Sequence, residues 1–189
     1  MSDEKLAKAE KSKPLGRRFL RHFIKDERGS AAIEFAMLAL PFSALVFAIL
    51  ESGLSFTAHQ VMANSVEDLA RDLRTGTLKK VDATPAAVRD RICNDMKVLV
   101  ASSCPGLYID LKTYATYGAV PTTIPYTSGD LNVSGFTISP GDADTINQLR
   151  VFYKWPIYTN YIAKKLAELP DGKTLLYSTL TWRNEQFPS

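Results

Sequence analysis

Few residues of this chain have both the type and the spacing to do chemistry. Glu34 is the first. It stands four residues after Ser30 in the Gly29-Ser30 pair, and from Phe35 to Leu50 no further charge occurs, with only Pro41 and Ser43 interrupting the apolar series. A carboxylate at the mouth of such a run is costly in hydrocarbon and calls for a partner. Two roles are open to it: pairing with a cation brought by another molecule, or resting at the first turn of a helix. There it would meet the positive end of the macrodipole and reach toward headgroups. A capping box is not the explanation, because Ile33 lies three residues after Ser30 where Glu or Gln would be needed.

The other reactive side chains point away from catalysis. The chain has two histidines, His22 in the basic leader and His59 just past the apolar run, where it lacks local partners in the sequence. There is no GxSxG, P-loop, HExxH, CxxC or Rossmann glycine pattern. A paired-carboxylate hydrolase stays open only because Asp and Glu can converge from anywhere in a chain. Asp142 and Asp144 lack the further oxygen ligands and distal Glu of a calcium loop and read as solvated acids. No metal and no cofactor is expected. Cys93 and Cys104 either form a disulfide or stay as thiols, and the choice depends on compartment. Closing so short a loop would stabilise the fold by roughly 2–3 kcal/mol.

The elements that must position these residues begin with charge. Residues 1–29 carry nine Lys/Arg against five Asp/Glu, a net of +4, while residues 30–189 carry 14 against 15. A near-neutral remainder lacks the basic stripe of a nucleic-acid binder, so no nucleic acid is expected as partner. Basic residues beside a span stay cytoplasmic and direct the chain beyond the span outward. Val61, Met62, Val66, Leu69, Ala70 and Leu73 then keep helical spacing, with Glu67, Asp68, Arg71 and Asp72 between them. The first helix therefore reads as apolar all round, then amphipathic, ending near Gly76; a separate helix hinged near Gly53 is the alternative. Thr84-Pro85 opens a second helix carrying Val88, Ile92, Met96, Leu99 and Val100, with its exit at Cys104-Pro105-Gly106.

Alternation predicts strands at 107–114, 149–155 and 173–183, a short strand at 132–138 inside an otherwise looped 118–147, and a short helix at 158–169. The cluster Phe152, Tyr153, Trp155, Tyr158 and Tyr161 is either core or a binding surface. Lys79-Lys80 and Lys164-Lys165 read as solvated. The fold class is α+β: a long N-terminal helix, transmembrane then amphipathic, against a small antiparallel sheet. This gives a leader at 1–29, a transmembrane part at 30–58 and an extracytoplasmic α+β domain at 59–189.

Three kinds of membrane segment compete. A conventional signal peptide would need a small-x-small site after the apolar run, and Phe56 spoils the one at Ala58. An uncut anchor is allowed, although 16 uncharged residues are short for a span of about 20. The third kind is cut before the apolar run. The stretch GSAAIEFAMLALPFSALVFAILESG, residues 29–53, with its basic leader, resembles the TadE-like minor pseudopilins of tight-adherence (type IVb) pilus systems. Phe35 stands where the major pilin of such systems often has Tyr.

The resemblance implies a pilin-like fold and cleavage between Gly29 and Ser30 by a prepilin peptidase, the small Gly29 letting the backbone enter the peptidase. It implies that Glu34 neutralises the freed amine of a neighbouring subunit and that Glu34 and Phe35 set register. The implied partners are the major pilin, other minor pseudopilins, the inner-membrane assembly platform and the lipid bilayer. The implied location is the bacterial inner membrane, single-pass, leader cytoplasmic and head periplasmic. The alternative is an uncut single-pass protein whose periplasmic domain binds a cell-envelope partner.

Overall fold

Helix α1 spans Glu27–Thr75. In the computed structural model, residues 27–158 and 167–186 are described, and the chain divides into two compact units at Val46/Phe47. In the first unit α1 is apolar on every side and bare on every side: Ile33, Phe35, Met37, Leu38, Leu40, Phe42 and Leu45 are all well over half exposed. Pro41 lies within this helix without ending it.

In the second unit the same helix changes character. It runs through Gly53 unbroken, and from Ala58 onward one stripe is buried: Ala58, Met62, Val66, Leu69, Ala70 and Leu73. Glu67, Asp68 and Arg71 face solvent, as a 3.6-residue period requires. The helix stops where Gly76 takes a left-handed conformation (φ 74°) that side-chain-bearing residues resist. Arg74 sits in the last turn, complementing the negative helix end.

Helix α2, Pro85–Met96, starts from an N-cap in which Thr84 Oγ1 accepts from the Ala87 amide at 3.2 Å, with Pro85 in the first turn. It ends at Met96, eight residues before the expected exit at Cys104. The amides of Leu99 and Val100 both turn back onto the Met96 carbonyl, so these two residues pack as a tightened turn. Cys104 (φ 45°) and Gly106 (φ 89°) then redirect the chain into β1, Leu107–Tyr114. Arg89 locks this corner, donating to the carbonyls of Leu107 at 2.7 Å and Cys104 at 2.9 Å.

The remaining strands are β2 (Tyr126–Thr127), β3 (Asp130–Leu131), β4 (Ile146–Pro156) and β5 (Lys173–Arg183). β1, β4 and β5 form an antiparallel sheet with β4 central; β2 and β3 form a small hairpin. The strand expected at 132–138 is not one. Asn132 Oδ1 instead takes the amide and hydroxyl of Ser134, a local turn that competes with strand pairing. Residues 137–139 reach the sheet, where Ile138 forms a parallel bridge to Leu111, whose amide donates to the Thr137 carbonyl and whose carbonyl accepts from the Ser139 amide. The helix expected at 158–169 lies mostly outside the described residues.

One face of the sheet, through Leu107, Leu111, Leu149, Val151, Tyr153 and Trp182, packs with both helices. The other carries a second cluster of Leu131, Phe152, Leu169 and Leu175 beneath the 117–141 excursion. Because both faces are covered, β4 is buried along nearly its whole length, polar Asn147, Gln148 and Arg150 included.

Candidate functional site

The sequence-predicted site lies in the first turns of α1. Gly29 and Ser30 are helical, and α1 begins three residues ahead of Ser30, at Glu27. A Cβ placed on Gly29 meets nothing within 4 Å. Packing therefore gives no reason for glycine here, although glycine in a helix costs about 1 kcal/mol relative to alanine. One turn on, Glu34 Oε1 accepts from the Ser30 hydroxyl at 3.0 Å. Phe35 beside it is 73% exposed. The structure thus brings Ser30 and Glu34 together on one helix face and leaves Phe35 unpacked.

Cys93 and Cys104 are joined by a disulfide, their Cα atoms 5.8 Å apart. It ties the end of α2 to the turn into β1 and lies in the core, with Cys104 fully buried. Of the aromatic cluster, Phe152, Tyr153 and Trp155 are core residues while Tyr158 is exposed; Tyr161 lies outside the described residues, as do Lys164 and Lys165. Asp142 and Asp144 each face a cation, Lys80 at 2.9 Å and Arg183 at 2.9 Å. Among the described residues no three His, Cys, Asp or Glu side chains converge as a metal set.

Three polar ties escaped the sequence reading. Glu51 Oε1, at the end of the apolar run, accepts from the Tyr158 amide at 2.5 Å. His59 Nε2 donates to the Tyr177 carbonyl of β5 at 3.0 Å, which fixes the tautomer, since a carbonyl can only accept. Both side chains line a mainly apolar cavity of about 400 Å³ with Phe56, Trp155 and Tyr177. The third tie is buried charge. Asp110, 1% exposed, takes Arg150 Nη2 at 2.6 Å, Lys112 Nζ at 3.1 Å and the Thr137 amide at 3.0 Å. Strand alternation alone would have put these groups in solvent. At the surface, Lys154 Nζ meets Asp130 Oδ1 at 2.6 Å. That hydrogen bond, with the Leu131 amide behind it, holds the Asp130 carboxyl below the usual aspartate range. Burial pulls the Lys154 ammonium down, but Asp130 outweighs it and the pKa stands above the ordinary lysine value.

These features define a class: an α+β domain whose first helix continues into an apolar segment long enough to cross a membrane. The family model described as TadE-like protein matches residues 29–71, from Gly29 through the amphipathic half of α1. Over these residues the chain is similar to that family. No curated protein and no solved structure matches the chain.

Proposed function

We propose that the protein is a minor pseudopilin of a tight-adherence, type IVb pilus. It is made as a precursor with residues 1–29 in the cytoplasm, residues 30–58 in the bacterial inner membrane and residues 59–189 in the periplasm. A prepilin peptidase cuts between Gly29 and Ser30. The mature subunit then packs its apolar helix with the major pilin and other minor pseudopilins at the assembly platform, where Glu34 and Phe35 set its register.

The observation that carries this reading is the span of the TadE-like match, which begins at Gly29 itself and covers both halves of the helix. Two further facts support it. Gly29 has no packing reason to be glycine, and a peptidase that admits only a small residue supplies one. The Cys93–Cys104 disulfide suits an oxidising compartment. The bond to be cut lies in the first turn of α1, where the first four amides of a helix lack intrahelical acceptors and fraying is easiest.

The uncut single-pass alternative draws on one observation, that α1 begins at Glu27 and runs through the Gly29-Ser30 bond. N-terminal sequencing of the membrane-fraction protein, with and without prepilin peptidase, separates the two. The expected start is Ser30, dependent on the peptidase and abolished in Gly29→Phe. A start at Met1 or Ser2 in both strains would refute cleavage and favour a periplasmic domain serving a cell-envelope partner.

A further inference from the structure

The excursion between β1 and β4 carries a motif that the pilus reading leaves unused. Residues 130–134 read Asp-Leu-Asn-Val-Ser. Asparagine and serine separated by one residue other than proline form the acceptor pattern for N-linked sugar, and here an acid also stands two places ahead. Of the six asparagines in the chain, Asn132 alone has a hydroxyl residue two places after it, and it alone has an acid two places before it. Both marks fall on one residue, and that residue sits where a glycan fits. Asn147 and Asn184 are buried, at 1% and 5% exposure, whereas Asn132 is half-buried and is followed by exposed Val133, Ser134 and Gly135. A Cβ on Gly135 meets nothing within 4 Å, so the space beyond this turn is open.

The bonds around the carboxamide are local. Asn132 Oδ1 accepts from the Ser134 amide at 2.9 Å and from its hydroxyl at 2.6 Å. Nδ2 donates to the hydroxyl of exposed Thr127 at 3.0 Å, which uses one of its two protons. Asp130 keeps a side chain 44% exposed although Lys154 holds it at 2.6 Å. Leu131 anchors the segment in the second core cluster. β2 and β3, however, pair over only two residues each, and so short a hairpin opens readily, presenting residues 130–134 in extended form. We propose that Asn132 is an acceptor for an N-linked glycan. In the transfer, Asn132 Nδ2 attacks C1 of a sugar carried on a lipid diphosphate. The bond from C1 to the diphosphate oxygen breaks, the lipid diphosphate leaves with the electron pair, and one Nδ2 proton passes to a base of the transferase. The co-reactants are a lipid-diphosphate-linked glycan and a membrane transferase that reads Asp130 and the Ser134 hydroxyl. Such a site needs residues 59–189 to lie in the periplasm, as in the pilus reading, because the lipid-linked donor presents its sugar there.

The test coexpresses the full-length protein in a bacterial host with a single-subunit oligosaccharyltransferase and its lipid-linked glycan, or with the inactive transferase. Mass spectrometry reads the tryptic fragment Thr113–Arg150, which holds the whole motif. The glycan mass is expected on Asn132 only with the active transferase. It should be lost in Asn132→Gln, Ser134→Ala and Asp130→Asn, and kept in Ser134→Thr and Asp130→Glu, which preserve the hydroxyl and the acid. A membrane-impermeant amine reagent on spheroplasts, read at exposed Lys79 in the same digest, reports where the head lies. A labelled head with no glycan on Asn132 overturns the acceptor assignment while leaving the pilus reading intact. An unlabelled, unmodified head overturns the periplasmic placement and the acceptor with it. Glycan that survives Asn132→Gln or Asp130→Asn refutes the assignment to this motif.

Discussion

The Asp110–Arg150 pair lends itself to a quantitative test because the structure specifies both what is lost and what is left behind. Asp110 is 1% exposed, and the Arg150 side chain is 10% exposed at 2.6 Å from it. Replacing Asp110 by Leu strands the guanidinium in the interior and also strips the Thr137 amide of its acceptor. An orphaned buried charge costs about 3–5 kcal/mol, and an orphaned amide about 1–3 kcal/mol more if nothing relaxes. Relaxation of the 117–141 segment makes the lower half of the combined range the better figure, about 4 kcal/mol. For a chain of this length each kcal/mol moves the melting point by roughly 2–4 °C, so Asp110→Leu should melt about 8–16 °C below the parent. Arg150→Met, which leaves the carboxylate with Lys112 and the amide, should cost less. The double variant Asp110→Leu/Arg150→Met should recover most of the loss, because two apolar side chains remove both desolvation penalties. The assay is thermal melting of the full-length protein by near-ultraviolet circular dichroism, reporting on Trp155 and Trp182, both in the core. A single variant within about 2 °C of the parent, or a double variant no better than Asp110→Leu, would refute the claim that this pair is electrostatically sealed.

Two further outcomes rest on other contacts. Removing the Cys93–Cys104 bond as Cys93→Ala/Cys104→Ala should cost about 3 kcal/mol from the loop it closes, read as a lower melting point. A thiol-reactive gel shift on unreduced protein should show no free thiol, and labelling without reductant would contradict the bond. The Lys154–Asp130 pair makes stability pH-dependent at both ends. Asp130 is depressed in the fold, so its contribution is present above the usual aspartate value and fades as pH falls through the lower folded pKa. Lys154 is raised, so its contribution is present below the usual lysine value and fades as pH climbs through the higher folded one. Asp130→Asn should flatten the acid limb of the stability curve, and an unchanged limb would exclude the pair as its source.

Local chemistry made most of the fold legible. β1 and β5 begin and end where alternation and the preceding Gly106 and Gly172 place them. The stripe from Met62 to Leu73 needs only the 3.6 period, and Thr84-Pro85 opens α2 through a cap that any sequence can announce. The misses have a common cause. Residues 132–138 have strand-like composition, but Asn132 satisfies Ser134 locally and Gly135 turns at φ 87°, so the segment folds on itself. β4 starts at Ile146, three residues before the apolar run, because Asn147 and Gln148 find partners in Gly141, Thr145 and Pro121. Asp110, Gln148 and Arg150 occupy positions that alternation assigns to solvent. What buries them is the excursion between β1 and β4, a long-range event with no periodic signature.

The candidate site was legible for the opposite reason: it depends on almost nothing distant. An apolar helix surface exposed along one stripe would point to a single partner helix. Here Phe35, Met37, Leu40 and Leu45 fall on different sides of the axis at 100° per residue, and all are bare. A patch of that extent does not persist in water, so its surroundings must enclose it, as a bilayer or a bundle of helices does. In either medium Glu34 is the anomaly. The hydrogen bond it receives comes from Ser30, a neutral hydroxyl one turn away, and a neutral donor does not compensate a carboxylate removed from water. A cation close to Ser30 would compensate it. Cutting the chain before Ser30 would create one in each subunit, which is why the positions of Gly29, Ser30 and Glu34 make more sense together than any of them does alone.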